Sequence, residues 1–398
     1  MGSRNEITAR IERFNAGREP ERLALKYREM CKSPFAFFRG TAHLYWEDLA
    51  SRSTAMPDGP LVWACGDLHF ENFGSFQGDN GLSYFDLNDF DESCLGPATW
   101  EVSRFVASAY VAAPSLNLTG AEANELMKLF LDAYQSALGD GKARWIERAT
   151  ASGMVRILLG RVSKRTRAML INSRTIWKKR KRRIVIDGEH ALPITDSQRT
   201  NVTRRLHEFA KSQPDPDFFR VLDVARRVAG LGSLGLERYV VLVRGDGGRD
   251  GNALLDVKQA APSSLARVET IRQPAWKSEA DRVVAIQQRM QAIAPALLHA
   301  KKIGRAGYVI HELQPTNDRL SLKDARGNHR HLRSAVKSMG RVIAWAQLRS
   351  SGRQGSAIAD DLIKFAGASG WKRRLIDYGR SYRTEVQRDY KQFVDAQK

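Results

Sequence analysis

The chain has only three cysteines in 398 residues, and Cys31, Cys65 and Cys94 lie far apart. Such spacing excludes a disulfide framework and the paired-cysteine patterns of zinc sites, so a reducing cytoplasm is the expected setting. Long apolar runs are missing as well. Stretches such as "FVASAYVAAPSL" fall short of the ~20 residues that a bilayer span needs. The opening segment, "MGSRNEITARIERFNAGREPER", is too charged for a secretory signal, and Gly2 lacks the Ser or Thr at position six that a myristoylation signal prefers. No repeat with a period of about 20–50 residues is present. Acids are scarce relative to bases: 44 Asp and Glu stand against 64 Lys and Arg, for a formal net charge of +20. That balance favours anionic partners, whether nucleotides, nucleic acid or acidic surfaces, without choosing among them.

What is present divides into three stretches. Residues 5 to about 53 read as helical. "LVWACGDLHFENFG" and "LSYFDLNDFDE" each read as a strand running into a polar loop. Helical spacing returns from Trp100 to about Leu138, again in "ERATASGMVRILLGRVSKRTRAMLINSRTIWKKRKRRIVI", and again after the N-cap candidates Thr195 and Asp196. "SQPDPD" (Ser212 to Asp217) is the clearest break, and strand patterns follow it. Residues 279–300 read as helix, "GYVIHELQP" as a short strand, and the chain from about His331 as helix. The layout implies an α+β protein of two lobes. A helical part, 1–215, carries two polar loops; a strand-rich lobe spans 216–320; and 321–398 completes the helical part.

Gly230, Gly232 and Gly235 form G-x-G-x-x-G, a weak pattern by itself. A dinucleotide turn requires a helix to begin within the motif. Here the next residues, "LERYVVLV", are β-branched and aromatic, and a turn then leads to "ALLDVKQA" with Lys258. Strand, glycine loop, strand, turn and lysine strand suit a nucleotide: glycines let the backbone approach phosphates, and a lysine on the adjacent strand supplies charge. A glycine-rich hairpin with a surface lysine is the plain alternative.

Asp67, Leu68 and Asn72 reproduce the D-L-x-x-x-N part of a kinase catalytic loop, in which the Asp takes the acceptor's proton and the Asn binds Mg²⁺. "NDFDESCLGP" would supply a second metal carboxylate, since Mg²⁺ needs few protein oxygens beside waters and phosphates. Together, "GDLHFEN", "NDFDESCLGPATWEVSRFVAS", "SPFAFFRG" and "VAGLGSLG…LLDVKQA" resemble the bacterial family called domain of unknown function 2252, over most of the chain. That family resembles the aminoglycoside phosphotransferase branch of the protein-kinase-like fold. The resemblance implies Asp67 as catalytic base, Asn72 and Asp89 as metal ligands with Asp91 a possible second carboxylate, and Glu101 as an acidic residue capping the next helix. Asp89 is chosen because the eight residues to Pro97 match the family distance. It further implies ATP and Mg²⁺ as cofactors, with Gly230, Gly232, Ser233, Gly235 and Lys258 on the phosphates. Adenine would meet a hinge at Glu312 and Leu313. The motif order is inverted relative to kinases, as a circular permutation would produce. Glu279 is the candidate partner for Lys258.

Other readings stay open at this level. The same fold can transfer AMP or bind ATP without turnover. "GDLH" and "GNHRH" (Gly327 to His331) resemble two-metal phosphoesterase elements. Residues 161–183 hold eleven Lys or Arg and no acid, which would grip phosphate backbones or simply form a solvated helical face. The acceptor and the oligomeric state are not encoded in any motif.

Overall fold

The computed structural model describes residues 6–52, 56–248, 250–268, 271–303, 306–315, 318–321 and 327–398. Four short helices open the chain: α1 (Glu6–Phe14), α2 (Pro20–Met30), α3 (Pro34–Gly40) and α4 (Ala42–Ser51). Local chemistry sets their ends. Ser33 accepts a hydrogen bond from the Ala36 amide and Pro34 occupies the first turn of α3, where a missing N–H costs nothing.

The two polar loops of the helical part lie beside small antiparallel sheets. β1 (Leu61–Ala64) pairs with β4 (Cys94–Pro97), while β2 (Phe73–Gln77) pairs with β3 (Ser83–Leu87). Between them sit the loop after β1 and the loop after β3. Helix α5 (Ala98–Ala112) runs through the middle of the molecule, and all fifteen of its residues are buried. It packs with α6 (Gly120–Gly139), which a capping box of Thr119 and Glu122 starts, and with the C-terminal helix Trp371–Ala396.

Two sequence expectations change here. The stretch expected to be helical through residue 186 is helical only in α7 (Gly153–Val162) and α8 (Arg167–Arg174), with β5 (Ile146–Glu147) preceding them. It then becomes a hairpin of β6 (Thr175–Lys178) and β7 (Lys181–Ile184). Thr175, Ile176, Trp177 and Ile184 are β-branched or aromatic, and the six cations between Trp177 and Ile184 obscured that strand signal. Likewise, α11 (Glu279–Met290) stops at Met290, and β12 (His299–Ile303) follows instead of more helix.

A six-stranded antiparallel sheet forms the other part, in the order β12, β13 (Ala306–Glu312), β11 (Gly251–Gln259), β10 (Arg238–Gly247), β9 (Val221–Arg227) and β8 (Ala191–Leu192). Because strand side chains alternate between faces, each strand contributes to two cores. On one face, Val241, Val243, Leu255, Val257 and Ile310 meet Val202, Leu206 and Phe209 of α9 (Asp196–Ala210), a helix capped by Thr195 and Gln198. On the other, Val240, Leu242 and Leu254 meet Ile171 of α8 and Ile184 of β7. The short α10 (Ser264–Val268) and α11 then lead across to the helical part, where Ala280, Val283, Ile286 and Met290 join the main core. The strand β14 (Asp318–Arg319) joins β2, and the helix His329–Ser350 packs along α6. The molecule is thus mixed α+β with several antiparallel sheets. Among the described residues no helix is long and apolar enough to cross a membrane.

Candidate functional site

A cleft of about 1170 Å³ separates the six-stranded sheet from the helical part. Its floor is the loop after β1, which carries Asp67, His69, Glu71 and Asn72, and the loop after β3, which carries Asp89, Asp91 and Glu92. The two loops touch through their backbones. Gly66 has φ +82°, and a Cβ there would lie 1.8 Å from the Glu92 carbonyl oxygen, so only glycine fits. Trp46 donates its indole N–H to the Gly66 carbonyl at 3.1 Å and fixes the loop from below.

Asn72 joins the two loops. Its Nδ2 donates to the Asp67 and Asp89 carbonyls at 3.1 and 3.3 Å, and its Oδ1 accepts from the Asp89 amide at 2.8 Å. A metal role for Asn72 would therefore use the remaining lone pair of an oxygen already occupied. Asp67 Oδ1 accepts from Arg104 Nε at 2.8 Å and from Arg104 Nη2 at 2.5 Å. Arg104 is fully buried in α5, with its guanidinium over the rings of Phe38 and Tyr45. The second oxygen, Asp67 Oδ2, lies 3.9 Å from His69 Nε2. His69 Nδ1 accepts from the Glu71 amide, so in the neutral ring Nε2 carries the proton. Burial, together with Arg39, Arg104 and Arg319, pushes the His69 pKa well down and keeps the ring neutral.

Beside the cleft, the sheet brings Lys258 to a smaller cavity of about 160 Å³ that shares Asn88, Asp89, Asp91 and Gly230 with it. Lys258 pairs with Asp91 across 167 residues of sequence and stands 3.9 Å from Asp89. Two carboxylates thus share one ammonium. Burial and the neighbouring Asp89 charge raise the Asp91 pKa. Asp89 is half-exposed toward the cleft. A cation at this point would relieve the like-charge contact, so the donor set fits a hard divalent ion. Among the described residues no group of three or more His, Cys, Asp or Glu is gathered as a metal cage. Arg282 of α11 holds this loop by donating to the carbonyls of Asp91 and Ser93, while Glu92 accepts from the Ser264 amide and hydroxyl.

Gly230, Gly232, Ser233 and Gly235 form the roof. Gly230 and Gly235 adopt φ of 73° and 93°, which L side chains rarely adopt. The N-terminal helices clasp this loop. Arg18 donates to the Gly232 and Leu234 carbonyls, buried Lys26 donates to the Gly232 carbonyl, and the Gly235 carbonyl accepts from the Glu19 amide.

Some expected residues do not join the site. Glu279 pairs with Arg282, and the part of α11 beside Lys258 presents Val283, Gln287 and Gln291. The lysine's acidic partner comes from the floor, not from a helix. Glu312 pairs with Arg167, and the Leu313 amide donates to the Leu254 carbonyl at 2.8 Å, so neither residue lines the cleft. Glu101 does not cap α5: it accepts from the Cys65 amide and from Gln347, tying the floor to the helix 329–350. Gly327 to His331 lies at the start of that helix, where His329 pairs with Glu122, away from the cleft.

Two residues escaped the sequence reading. Arg104 had a usable signal, being the only charged residue but one in the apolar run of α5. Lys26, buried under the glycine loop, had none, because it reads as one cation in a charged helix.

The family model described as "Uncharacterized protein conserved in bacteria (DUF2252)" matches residues 18–396. The chain belongs to this family. The match takes in Arg18 and Lys26, both polar loops, the glycine loop and Lys258. No curated protein and no solved structure matches the chain.

Proposed function

We propose that this chain is a Mg²⁺- and ATP-dependent phosphotransferase of kinase-like design whose chain order is circularly permuted. The observation that carries the reading is the placement of Lys258 beside Asp89 and Asp91, on a floor that Asn72 bonds to Asp67. Glycine loop, lysine strand, helix and hinge strand follow one another as in kinases, while both catalytic loops come earlier in the chain. Convergence in space, not order along the chain, is what a phosphoryl-transfer site requires.

Asp89 and Asp91 would hold the metal, which supplies charge neutralisation for the transferred group. Lys258 would then leave Asp91 for the phosphates. Arg104 fixes the Asp67 carboxylate so that Oδ2 faces the acceptor, and His69 Nε2–H flanks it. Because the Leu313 amide bonds within the protein and α8 covers the neighbouring sheet face, phosphates and metal hold the nucleotide more than the base does.

The test uses ATP labelled in either the γ- or the α-phosphate, with wild type, Asp67→Asn and Asp89→Asn. Transfer of γ-label should fall about 10²–10⁴-fold in Asp67→Asn with nucleotide binding retained, and Asp89→Asn should lose transfer together with the Mg²⁺-dependent part of binding. Transfer of α-label instead would replace phosphotransfer by AMP transfer. Full activity in both variants would refute the site.

A further inference from the structure

Outside the cleft, the β6–β7 hairpin breaks three local rules at one place. Its two turn residues, Lys179 and Arg180, both have positive φ, 46° and 61°. Hairpin turns of this hand use Asn, Asp or Gly, which adopt that conformation with little strain, whereas Lys and Arg do not. Lys178 lies directly opposite Lys181 in the ladder, and like charges in that register repel. Beside them, Ile176 and Trp177 are 42% and 48% exposed.

Other cations of the same basic stretch are used inside the protein. Arg161 and Arg165 pair with Asp318, Arg167 with Asp246 and Glu312, and Arg183 with Asp223. Among the described residues, Lys178, Lys179, Arg180 and Lys181 have no acidic partner. A strained turn here concentrates four cations without an acidic partner among the described residues beside exposed apolar side chains. An anionic surface would relieve the repulsion and bury the apolar groups.

We propose that this hairpin docks the protein onto an anionic lipid surface. Ile176 and Trp177 are neighbours in a strand, so they project from opposite faces of the hairpin. Nucleic acid offers a base for Trp177 to stack on, but nothing in which to bury an aliphatic side chain on the far face. The boundary between headgroups and acyl chains accepts both, while lipid phosphates meet the four cations. Arg182 covers one face of the Trp177 ring, with its guanidinium 5.1 Å from the centroid, which further disfavours base stacking. Cations and apolar groups together provide the two signals that peripheral attachment requires. The proposal is independent of the chemistry in the cleft.

The test is co-sedimentation with vesicles of phosphatidylcholine alone and of phosphatidylcholine mixed with phosphatidylglycerol, at low and raised salt. Wild type should bind only the mixed vesicles and be released by salt. The paired substitution Lys179→Asn with Arg180→Gly gives the turn the residues it prefers while removing two charges. Its melting temperature should hold or rise while vesicle affinity falls at least about tenfold. Ile176→Ser with Trp177→Ser keeps the charge and should also lose affinity. Failure of wild type to bind the mixed vesicles, or undiminished binding by both variants, overturns the proposal. So does salt-sensitive binding to a DNA duplex or single-stranded RNA without vesicle binding, which would assign the hairpin to nucleic acid.

Discussion

Along the inner face of β11, Leu254, Asp256 and Lys258 stand about 7 Å apart in succession. Leu254 is sealed under Ile171 and Ile184. Asp256 is fully buried; against that burial, Arg227, Arg238 and a hydrogen bond with His311 hold its pKa well below the usual carboxylate range. Lys258 opens onto the small cavity beside the cleft, where it faces both Asp89 and Asp91. One end of the face is complete without a ligand and the other is not. The closed end serves stability, and the open end is available for chemistry.

Substitutions at the two ends should therefore separate the two properties. The largest effect is expected from Arg104→Ala, which leaves Asp67 beside a buried gap. Breaking a buried ion pair from one side costs about 3–5 kcal/mol, readable as a loss of unfolding free energy in urea. At the closed end, Ile171→Ala should cost about 2–4 kcal/mol through the cavity it leaves, with nucleotide affinity unchanged. A loss of affinity there would mean that the closed end also contacts the ligand. Replacing ATP by GTP sharpens the contrast further. Because the expected hinge is bonded internally, titration of the two nucleotides should give dissociation constants within about tenfold of each other, or about 1.4 kcal/mol.

The smallest effect concerns Asp86 of β3, below the floor. Burial raises its pKa from the ordinary 3.8 to about 6. The folded protein thus holds this proton more tightly than the unfolded chain. Its contribution is fully present below the ordinary value and is lost as pH rises through about 6. Asp86→Asn should flatten the stability profile across that window and raise stability at pH 7, measured by denaturation at several pH values.

The start of α9 was legible in the sequence, whereas the break between α5 and α6 inside the helical stretch from Trp100 was not. Thr195 and Gln198 mark the start of α9 by side-chain chemistry that is entirely local. The β4 strand "CLGP" was not legible, because its extended shape comes from pairing with β1, thirty-odd residues away, and a Gly-Pro pair masks it. The β6–β7 hairpin was hidden because its charges outweighed its strand-forming residues. In the site, Asp67, Asn72, Asp89 and Lys258 could be chosen because motif spacing marks them. Lys26 could not, since its importance lies in what it touches across the fold, and Arg104 showed only as a charge in the apolar run of α5. That the expected hinge residues Glu312 and Leu313 lie outside the cleft lining was hidden for a related reason: the backbone bond from the Leu313 amide to Leu254 leaves no trace in residue type.

The most direct measurement is calorimetric titration of ATP, with and without Mg²⁺, into wild type, Lys258→Ala and Asp89→Ala. Wild type should bind, and more tightly with Mg²⁺. Lys258→Ala should weaken binding at both metal conditions, and Asp89→Ala should abolish the Mg²⁺ dependence. Absence of binding by wild type, or equal binding by all three proteins, would contradict a nucleotide site between Lys258 and the two aspartates.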